Sequence, residues 1–233
     1  MTSKEDRIAI VTGASRGLGL ATARALAERG WGLIIDARSV DELSEAADQI
    51  GHDVVAVAGD VTDPEHRERL IRPAVDARRL DLLVNNASML GPSPQPSLDT
   101  YPLDVIRQVY ETNVVAPLAL IQRTLALLRQ SRGIIVNVSS DAAREPYAGW
   151  GGYGSSKAAL DQMTNILAVE EPDLSVYRFD PGDMNTRMHQ EAFPDEDISD
   201  RPPPESSVPA LMRLIENRPG SGAFGVNDVL ADA

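Results

Sequence analysis

The sequence contains no cysteine, only three histidines and only 4% aromatic residues. The absence of cysteine excludes disulfide bonds, thiolate metal sites and a cysteine nucleophile. So few histidines leave little for a histidine-built metal centre, and we predict no metal site. No apolar stretch reaches the roughly 18 residues of a membrane-spanning helix, and the first residues contain no apolar run of signal-peptide length. We therefore expect a cytoplasmic protein.

Positive charge is also scarce. Lysine and arginine together number 22 against 35 aspartates and glutamates, which gives a formal net charge of −13. A chain this acidic repels nucleic acid and anionic membranes, so we expect neither as a partner. The hydrophobic fraction of 42% is ample for a folded core. At roughly 100–200 residues per domain, the 233 residues favour a single domain.

The apolar residues alternate between two periods along the chain. Short, nearly continuous runs of Ile, Val and Leu are typical of parallel strands buried on both faces. These runs occupy residues 7–12, 32–36, 53–58, 80–84, 133–138 and 175–179. Helical segments lie between and after them, at residues 17–29, 40–50, 64–77, 103–129, 153–170 and 206–216. The alternation predicts an α/β fold of Rossmann type: a doubly wound parallel sheet with helices on both faces, in one domain spanning residues 1–233.

One segment interrupts this alternation. Residues 185–209 contain five prolines, three of them consecutive at 202–204, where a helix cannot continue. A tolerated surface insertion would explain such a segment. A long irregular loop inside a compact domain is more often a binding loop or a lid, and we expect a substrate-side loop or lid here.

A glycine-rich turn follows the first predicted strand. The strand ends at Thr12 and is followed by Gly13, Gly17 and Gly19, after which a helix begins. Glycines at a strand-to-helix turn let the backbone approach a phosphate, and the helix N–H groups then face the anion. The spacing G-x3-G-x-G differs from the dinucleotide fingerprint G-x-G-x-x-G, and a merely tight turn is the alternative. The strand–turn–helix context favours a dinucleotide site.

The end of the second predicted strand bears on the choice of dinucleotide. A carboxylate there selects the ribose 2′-hydroxyl of NAD, whereas a guanidinium accommodates the 2′-phosphate of NADP. Counted from Thr12, the acidic position of NAD-binding proteins is Ala37, and Arg38 follows it. Arg16 adds a second positive charge on the same side. We predict a preference for NADP(H), with NAD(H) possible because Asp36 could pair with Arg38 and weaken it.

A second group of motifs lies further along the chain. Tyr153 and Lys157 share one helix face at i, i+4 spacing, and Ser140 precedes the tyrosine by thirteen residues. The sequence N-N-A stands at 85–87, and Asn113 lies in the longest predicted helix. Together with the loop T-G-A-S-R-G-L-G, these motifs resemble the single-domain branch of the short-chain dehydrogenase/reductase family. The resemblance covers nearly the whole chain.

The resemblance implies a role for each of these side chains. Tyr153 is the proton donor or acceptor, and its ordinary pKa of about 10 makes it a poor catalyst near neutrality. Lys157, together with the positively charged nicotinamide ring, is expected to lower that pKa and to hold the nicotinamide ribose. Ser140 is expected to hydrogen-bond the carbonyl oxygen, and Asn113 to anchor a proton-relaying water. Ser139 is expected to be a spectator.

The resemblance also implies a set of cofactor-binding positions, in which Asp60 and Val61 contact the adenine and Thr186 bonds the carboxamide. The full set comprises Gly13, Ser15, Arg16, Gly17, Leu18, Gly19, Arg38, Asp60, Val61, Asn86, Ala87, Tyr153, Lys157, Pro181, Gly182, Met184 and Thr186. Two positions depart from the family pattern. Ser88 replaces a usual glycine, which we expect to tighten the turn without touching the chemistry. Asp183 replaces a usually apolar residue and could meet a polar substrate or face water.

The substrate end is less informative. The stretch 147–150 and residues 170–172 are similar to sepiapterin reductases and to microbial reductases of 1,2-diketones. Residues 221–223 resemble the final strand of those proteins, which brings the predicted sheet to about seven strands. Tyr147 and Trp150 occupy the expected substrate wall, although core or dimer packing explains them equally well.

The family resemblance also implies a homodimer or homotetramer built from the helices at 103–129 and 153–170. Apolar residues extend beyond one face of both helices, although this surface could instead meet the central sheet. The sequence thus predicts an NADP(H)-dependent oxidoreductase that transfers hydride between nicotinamide and a small or medium organic carbonyl or alcohol. The alternative is a non-catalytic NADP-binding sensor or regulator on the same fold.

Overall fold

The protein was analysed as a computed structural model that describes residues 7–51 and 54–231. Its centre is a sheet of seven parallel strands in the order β3-β2-β1-β4-β5-β6-β7. The strands are β1 (Ile8–Val11), β2 (Gly32–Ala37), β3 (Val54–Ala58), β4 (Leu82–Asn85), β5 (Ile134–Val138), β6 (Ser175–Asp180) and β7 (Gly222–Gly225). The predicted doubly wound parallel sheet is therefore confirmed. Residue 53 of the predicted third strand lies outside the described residues.

Helices cover both faces of the sheet. Their bounds are α1 (Gly17–Glu28), α2 (Val40–Ile50), α3 (Pro64–Asp76), α4 (Leu103–Tyr110), α5 (Ala116–Ser131), α6 (Gly151–Glu170), α7 (Arg187–Ala192), α8 (Val208–Asn217) and α9 (Val226–Ala231). The helix α3 begins as its sequence suggests, with Pro64 at the first helical position and the Asp63 carboxylate accepting the N–H of Glu65 at 2.9 Å. No helix in the described ranges has the length and apolar character needed to cross a membrane.

The single helix expected over residues 103–129 is interrupted by a π-helical turn at Glu111–Val115. The N–H of Ala116 donates to the carbonyl of Glu111, five residues back. Because Pro117 has no N–H, the carbonyl of Asn113 cannot accept the hydrogen bond of a regular α-helix. The side chain of Asn113 is anchored outside the helix, as described below. The helix therefore widens at the residue that the family motif singles out.

The segment 185–209 also differs from the expected irregular loop. It contains the short helix α7, capped by the Thr186 hydroxyl, which accepts the N–H of His189 at 3.2 Å, and a 3-10 turn at Pro204–Ser206. The three consecutive prolines end regular structure between these two pieces. The Thr186 cap therefore stabilises a short helix at Arg187–Ala192, where the sequence shows no helical periodicity.

Two apolar cores lie on opposite faces of the sheet, because successive strand side chains point to opposite sides. On β1, Ala9 and Val11 join the core packed against α1 and α8, whereas Ile10 joins the core packed against α3 and α5. Each large apolar side chain buried in this way contributes about 1.5–3 kcal/mol to stability. Part of the surface considered for a subunit interface belongs to the second core, including Leu120 and Ile121.

Other apolar residues of the same helices remain on the surface. The exposed fractions are 43% for Val115, 37% for Leu118, 47% for Ile166 and 81% for Val169. The sheet therefore accounts for one face of α5 and α6, and a separate exposed apolar face remains beside it.

The strand order reverses between β1 and β4, which are hydrogen-bonded neighbours although they are far apart in sequence. In a doubly wound sheet, loops on the two sides of such a reversal diverge and leave a crevice at the carboxyl ends of the strands. The loops after β1, β4, β5 and β6 all reach this crevice, and they contain the motifs identified from the sequence.

Candidate active site

A cavity of about 790 Å³ lies at the carboxyl edge of the sheet. Most of the predicted site residues line it: Gly13, Ser15, Arg16, Gly17, Leu18, Arg38, Asp60, Val61, Asn86, Ala87, Ser140, Trp150, Tyr153, Lys157, Pro181, Gly182, Asp183, Met184 and Thr186. Gly19, Asn113 and Tyr147 do not form part of its wall. Within the described ranges, no group of three or more His, Asp or Glu side chains could hold a metal ion.

The glycine loop runs along the floor of the cavity. Gly13 and Gly17 adopt left-handed backbone angles, with φ of +66° and +56°. A Cβ atom on Gly13 would lie 2.8 Å from the Cα of Ala87, and one on Gly19 would lie 2.4 Å from the carbonyl oxygen of Gly13. Because α1 begins at Gly17, its free N–H groups face the cavity. The backbone therefore fits the close approach of a dinucleotide diphosphate.

Thr12 and Asn86 hold this loop against the neighbouring strand. The Thr12 hydroxyl accepts the N–H groups of Asn86 and Ala87, both at 3.0 Å. The Asn86 amide donates to the carbonyls of Thr12 at 2.8 Å and Gly13 at 3.1 Å. Thr12, which the sequence reading used only to mark the end of a strand, thus joins the loops after β1 and β4. The Asn86 side chain thus fixes the backbone of the glycine loop, which lines the cavity.

Asp36 does not pair with Arg38. Its carboxylate accepts the N–H of Gly13 at 2.8 Å and lies 2.9 Å from Nε2 of His66 on α3. Asp36 and His66 are both fully buried. Burial raises the pKa of Asp36, and the hydrogen bonds with His66 and Gly13 oppose this rise. The proposed weakening of Arg38 by Asp36 is therefore wrong, because the carboxylate is bound beneath the glycine loop.

Glu42 lines the cavity together with three arginines, two of which approach its carboxylate. The Arg16 guanidinium forms an ion pair with Glu42 at 2.7 Å, and Arg187 on α7 approaches the same carboxylate at 3.9 Å. Arg38 is exposed and forms no ion pair within the described ranges. The positive charge predicted from Arg16 and Arg38 is therefore present, but Glu42 partly neutralises it. The sequence reading missed both Glu42 and Arg187.

Tyr153 and Lys157 lie side by side on α6 and are almost completely buried. The Lys157 ammonium donates to the carbonyl of Val138 at 2.8 Å and lies 5.5 Å from the centre of the Tyr153 ring. Burial lowers the pKa of Lys157 to about 8, although the negative charges of Asp161 and Asp180 oppose this change.

The pKa of Tyr153 departs from the expected direction. Burial raises it to about 12, and hydrogen bonds with Ser88 and Ser140 only partly oppose the rise. The expected lowering is absent from the protein alone because desolvation of the phenolate dominates. The neutral phenol is therefore the stable form of Tyr153 near neutral pH.

Ser140 lies at the end of β5, and its hydroxyl donates to Asp141 at 3.0 Å. It also accepts the N–H of Ala142 at 3.2 Å and so caps the following 3-10 turn. The neighbouring Ser139 instead donates to the buried carboxylate of Asp161 at 2.5 Å. Both serines contribute to the cavity wall with Tyr153, but the hydroxyl of Ser139 is bound to Asp161, which lies outside that wall.

Asn113 lies behind the cavity wall, and all the hydrogen-bonding capacity of its amide is used. The oxygen accepts from the N–H of Met89 at 2.7 Å and from the Ser88 hydroxyl at 3.1 Å. The nitrogen donates to the carbonyl of Met89 and to the Ser156 hydroxyl, both at 2.9 Å. Any water held by Asn113 must therefore bind its backbone carbonyl, which lacks a regular helical donor because of Pro117.

Ser88 is closer to the chemistry than the sequence suggested. Ser88 lines the cavity with Tyr153, its hydroxyl donates to Asn113 at 3.1 Å, and its proximity lowers the pKa of Tyr153. The expectation that this departure from glycine only tightens the turn is wrong. The sequence did contain a signal for this role, because a serine stands in place of the usual glycine directly after the motif N-N-A at 85–87.

Several rings pack around Trp150, which lines the cavity next to Tyr153. The ring of Trp150 lies 5.8 Å from that of Tyr153 and 5.7 Å from that of Phe193, and His189 packs 4.9 Å from Phe193. Tyr147 is nearly half exposed and donates its hydroxyl to Asp141 at 2.8 Å. The predicted substrate residue Trp150 therefore packs against Tyr153 in the cavity wall, whereas Tyr147 lies outside this wall and is bound to Asp141.

Asp183 stands at the rim of the cavity with an exposed carboxylate, 3.9 Å from both His189 and Arg201. Phe193 and His189 were not identified from the sequence, because they belong to the segment 185–209, where no motif was visible. The substrate end thus combines an aromatic wall with a charged rim.

Comparison with known proteins agrees with these features. The family described as short chain dehydrogenase matches residues 7–197. Sepiapterin reductase from Xenopus laevis is 32% identical over 231 residues, which covers 92% of this chain and 84% of the relative. A structure from Escherichia coli CFT073, assigned as a short chain dehydrogenase and complexed with NADPH, has a TM-score of 0.88 at 33% identity, covering 95% of this chain and 96% of that one.

An alcohol dehydrogenase from Thermococcus sibiricus, complexed with 5-hydroxy-NADP, gives a TM-score of 0.84 at 26% identity, with coverage of 94% and 95% of the two chains.

Proposed function

This chain belongs to the short-chain dehydrogenase family of oxidoreductases, and from that premise we propose that it transfers hydride between NADP(H) and a small or medium organic carbonyl or alcohol, with Tyr153 as the acid–base group. The observation that carries the proposal is the buried pair of Tyr153 and Lys157 on one turn of α6, within the cavity that begins at the glycine loop. A protein that only binds a dinucleotide has no need of a buried phenol with two hydroxyl partners.

In the proposed reduction, the dinucleotide supplies the hydride. Tyr153 is protonated near neutral pH and donates its phenolic proton to the oxygen of the carbonyl as negative charge develops there. Ser140 stabilises the same oxygen through a hydrogen bond. Lys157 holds the ribose next to the nicotinamide, and its charge favours the phenolate that remains on Tyr153. In alcohol oxidation, the same groups act in reverse.

NADP(H) is proposed as the preferred dinucleotide, with NAD(H) possible. Arg16 and Arg38 provide the positive charge for a 2′-phosphate at the adenosine end. Asp36 cannot compete for the ribose, because its carboxylate is bound to Gly13 and His66. The NADPH bound by the E. coli structure, and the 5-hydroxy-NADP bound by the T. sibiricus structure, support the same choice.

The segment 185–209 is proposed to act as the substrate-side loop of the cavity. Its helix α7 lines the cavity through Met188 and His189, and Phe193 packs against Trp150 of the wall, so a flat, partly apolar carbonyl compound fits this surface best. Tyr147 and Asp183 would then meet polar groups at the outer end of such a substrate. The exposed apolar residues of α5 and α6 are proposed to form the interface of a homodimer or homotetramer.

The substitution Tyr153→Phe tests the proposal. Carbonyl reduction should fall by about 100- to 10,000-fold, which is the usual contribution of a positioned general acid, while NADPH affinity is retained. Tyr110→Phe on α4 is the matched control. The substrate panel should contain ketones, 1,2-diketones, quinones and sepiapterin, each with NADPH and with NADH. NADPH binding without turnover of any of them, unchanged by Tyr153→Phe, would support the alternative of an NADP-binding sensor.

A further inference from the structure

Ser88 follows β4 by three residues, at the end of the strand that borders the crevice. Its hydroxyl donates to the side-chain oxygen of Asn113 at 3.1 Å. Ser88 and Tyr153 line the same cavity, and among the hydrogen-bonding side chains near Tyr153, Ser88 lowers the pKa of the tyrosine most. Ser88 therefore connects the anchored amide of Asn113 to the group that exchanges a proton with substrate.

We propose that Ser88 is a further catalytic residue, whose hydroxyl turns from Asn113 to Tyr153 and donates to the phenolate when the tyrosine has given up its proton. This inference rests on the proposed function, because it assigns a second donor to the acid–base tyrosine.

The surrounding hydrogen bonds permit this rotation. While Tyr153 is a phenol, the Ser88 oxygen can accept a hydrogen bond from the phenolic O–H while its own hydroxyl donates a hydrogen bond to Asn113. When Tyr153 becomes a phenolate, Ser88 can donate to it instead. The oxygen of Asn113 then keeps its second donor, the N–H of Met89 at 2.7 Å, and is not left unsatisfied.

Ser140 is less free to make the same rotation. Its hydroxyl donates to the carboxylate of Asp141, whereas Ser88 donates to a neutral amide. A hydrogen bond to an ionised acceptor is roughly twice as strong as one between neutral groups. Ser88 therefore gives up its partner more readily. The Ser88 hydrogen bond also lowers the pKa of Tyr153 more than the Ser140 bond does.

Ser88 neither gains nor loses a proton during the reaction. In reduction, hydride forms the new C–H bond, and the proton passes from the Tyr153 hydroxyl to the substrate oxygen. Ser88 keeps its own proton throughout and only changes the acceptor of its hydrogen bond. In oxidation, the phenolate takes the proton of the alcohol, and Ser88 returns to Asn113. A glycine at this position could donate to neither group.

The inference is tested with Ser88→Ala, Ser88→Gly and Ser88→Thr. We expect alcohol oxidation by the alanine and glycine variants to require a pH about one unit higher, equivalent to about tenfold lower kcat on the rising limb of the pH profile. Ser88→Thr keeps the hydroxyl and should restore the wild-type profile. Ser155→Ala is the matched control, because its hydroxyl lies on the same helix as Tyr153 and donates to the carbonyl of Gly151. Affinity for NADPH should not change in any of these proteins.

A second measurement separates this inference from the proposed function. The titration of Tyr153 can be followed as the ultraviolet difference spectrum between each protein and its Tyr153→Phe counterpart, with NADP⁺ bound. Removal of the Ser88 hydroxyl should move this titration to higher pH even if the substrate panel shows no turnover. Unchanged titrations in Ser88→Ala and Ser88→Gly would overturn the role of Ser88, whereas absence of turnover in the wild type would overturn only the proposed function.

Discussion

The Nε2 atom of His66 lies 2.9 Å from the carboxylate of Asp36, and neither side chain is accessible to solvent. The other oxygen of this carboxylate holds the N–H of Gly13 at 2.8 Å. Gly59 leaves room for the imidazole, because a Cβ atom there would lie 2.2 Å from Nδ1 of His66. A buried pair thus connects α3, β2 and the first glycine of the phosphate loop.

This connection predicts the effect of His66→Ala. Loss of the imidazole leaves one carboxylate oxygen of Asp36 buried without its partner, so the free energy of unfolding should fall by about 2 kcal/mol. NADPH should bind more weakly, because the carboxylate of Asp36 is no longer oriented by His66 and holds Gly13 less firmly. Chemical denaturation and a fluorescence titration measure the two effects. Arg69→Ala, an exposed change on α3, should alter neither. Wild-type NADPH affinity in His66→Ala would show that the loop does not depend on the pair.

The charges around Glu42 predict opposite effects of two substitutions. Arg38→Ala should weaken NADPH binding about tenfold without changing NADH binding, because only NADPH carries a 2′-phosphate. Glu42→Gln should strengthen NADPH binding, because it releases Arg16 from its 2.7 Å ion pair. Isothermal titration with both dinucleotides tests these effects. Equal losses for NADH and NADPH in Arg38→Ala would contradict the assignment of Arg38 to the 2′-phosphate.

The lowered pKa of Lys157 predicts that dinucleotide binding depends on pH. Because burial places this pKa at about 8, the ammonium is present below that pH and lost above it. NADPH affinity should therefore decrease as the pH rises through about 8. A hydrogen bond to a charged group contributes about 1.5–3 kcal/mol, so the loss of affinity should be about tenfold or more. Lys157→Met, which has a side chain of similar length and no charge, should bind weakly and without this dependence. A wild-type affinity that stays constant to alkaline pH would contradict the prediction.

Asp161 should shift the same transition. Its carboxylate is buried between the Ser139 hydroxyl and the Arg178 guanidinium, and its negative charge raises the pKa of Lys157. Asp161→Asn removes that charge, so the pKa of Lys157 should fall below 8 and NADPH binding should weaken at lower pH than in the wild type. Asp173→Asn is exposed on the surface and serves as the control. A shift towards higher pH would exclude this electrostatic role.

The sheet could be predicted from the sequence because its strands are buried on both faces and so appear as continuous apolar runs. The site motifs could be located because the loops after β1, β4, β5 and β6 meet at one edge of that sheet. The π-helical turn at Glu111–Val115 was not predicted, since its cause lies partly in the contact of Asn113 with Met89, a residue distant in sequence.

Partners of buried polar groups were hardest to predict. Asp36 was compared with its neighbour Arg38, but its partner His66 is thirty residues away and has no motif of its own. Ser88 was judged by the space it would occupy, whereas its effect comes from the direction of its hydroxyl. The pKa of Tyr153 was predicted from nearby charge, but burial has the larger effect in the protein itself.

The close packing of Gly19 against the backbone of Gly13 has a practical consequence for protein engineering. A methyl group on Gly19 would lie 2.4 Å from the backbone oxygen of Gly13 and 2.5 Å from the Asn86 amide nitrogen. A larger residue at position 19 is therefore excluded by steric clash. The positions that can be substituted lie instead at the solvent-facing opening of the cavity, where Arg38 and the Arg16–Glu42 pair are exposed. If NADP(H) is the preferred dinucleotide as proposed, exchange of these surface charges should be enough to change the preference without altering the core.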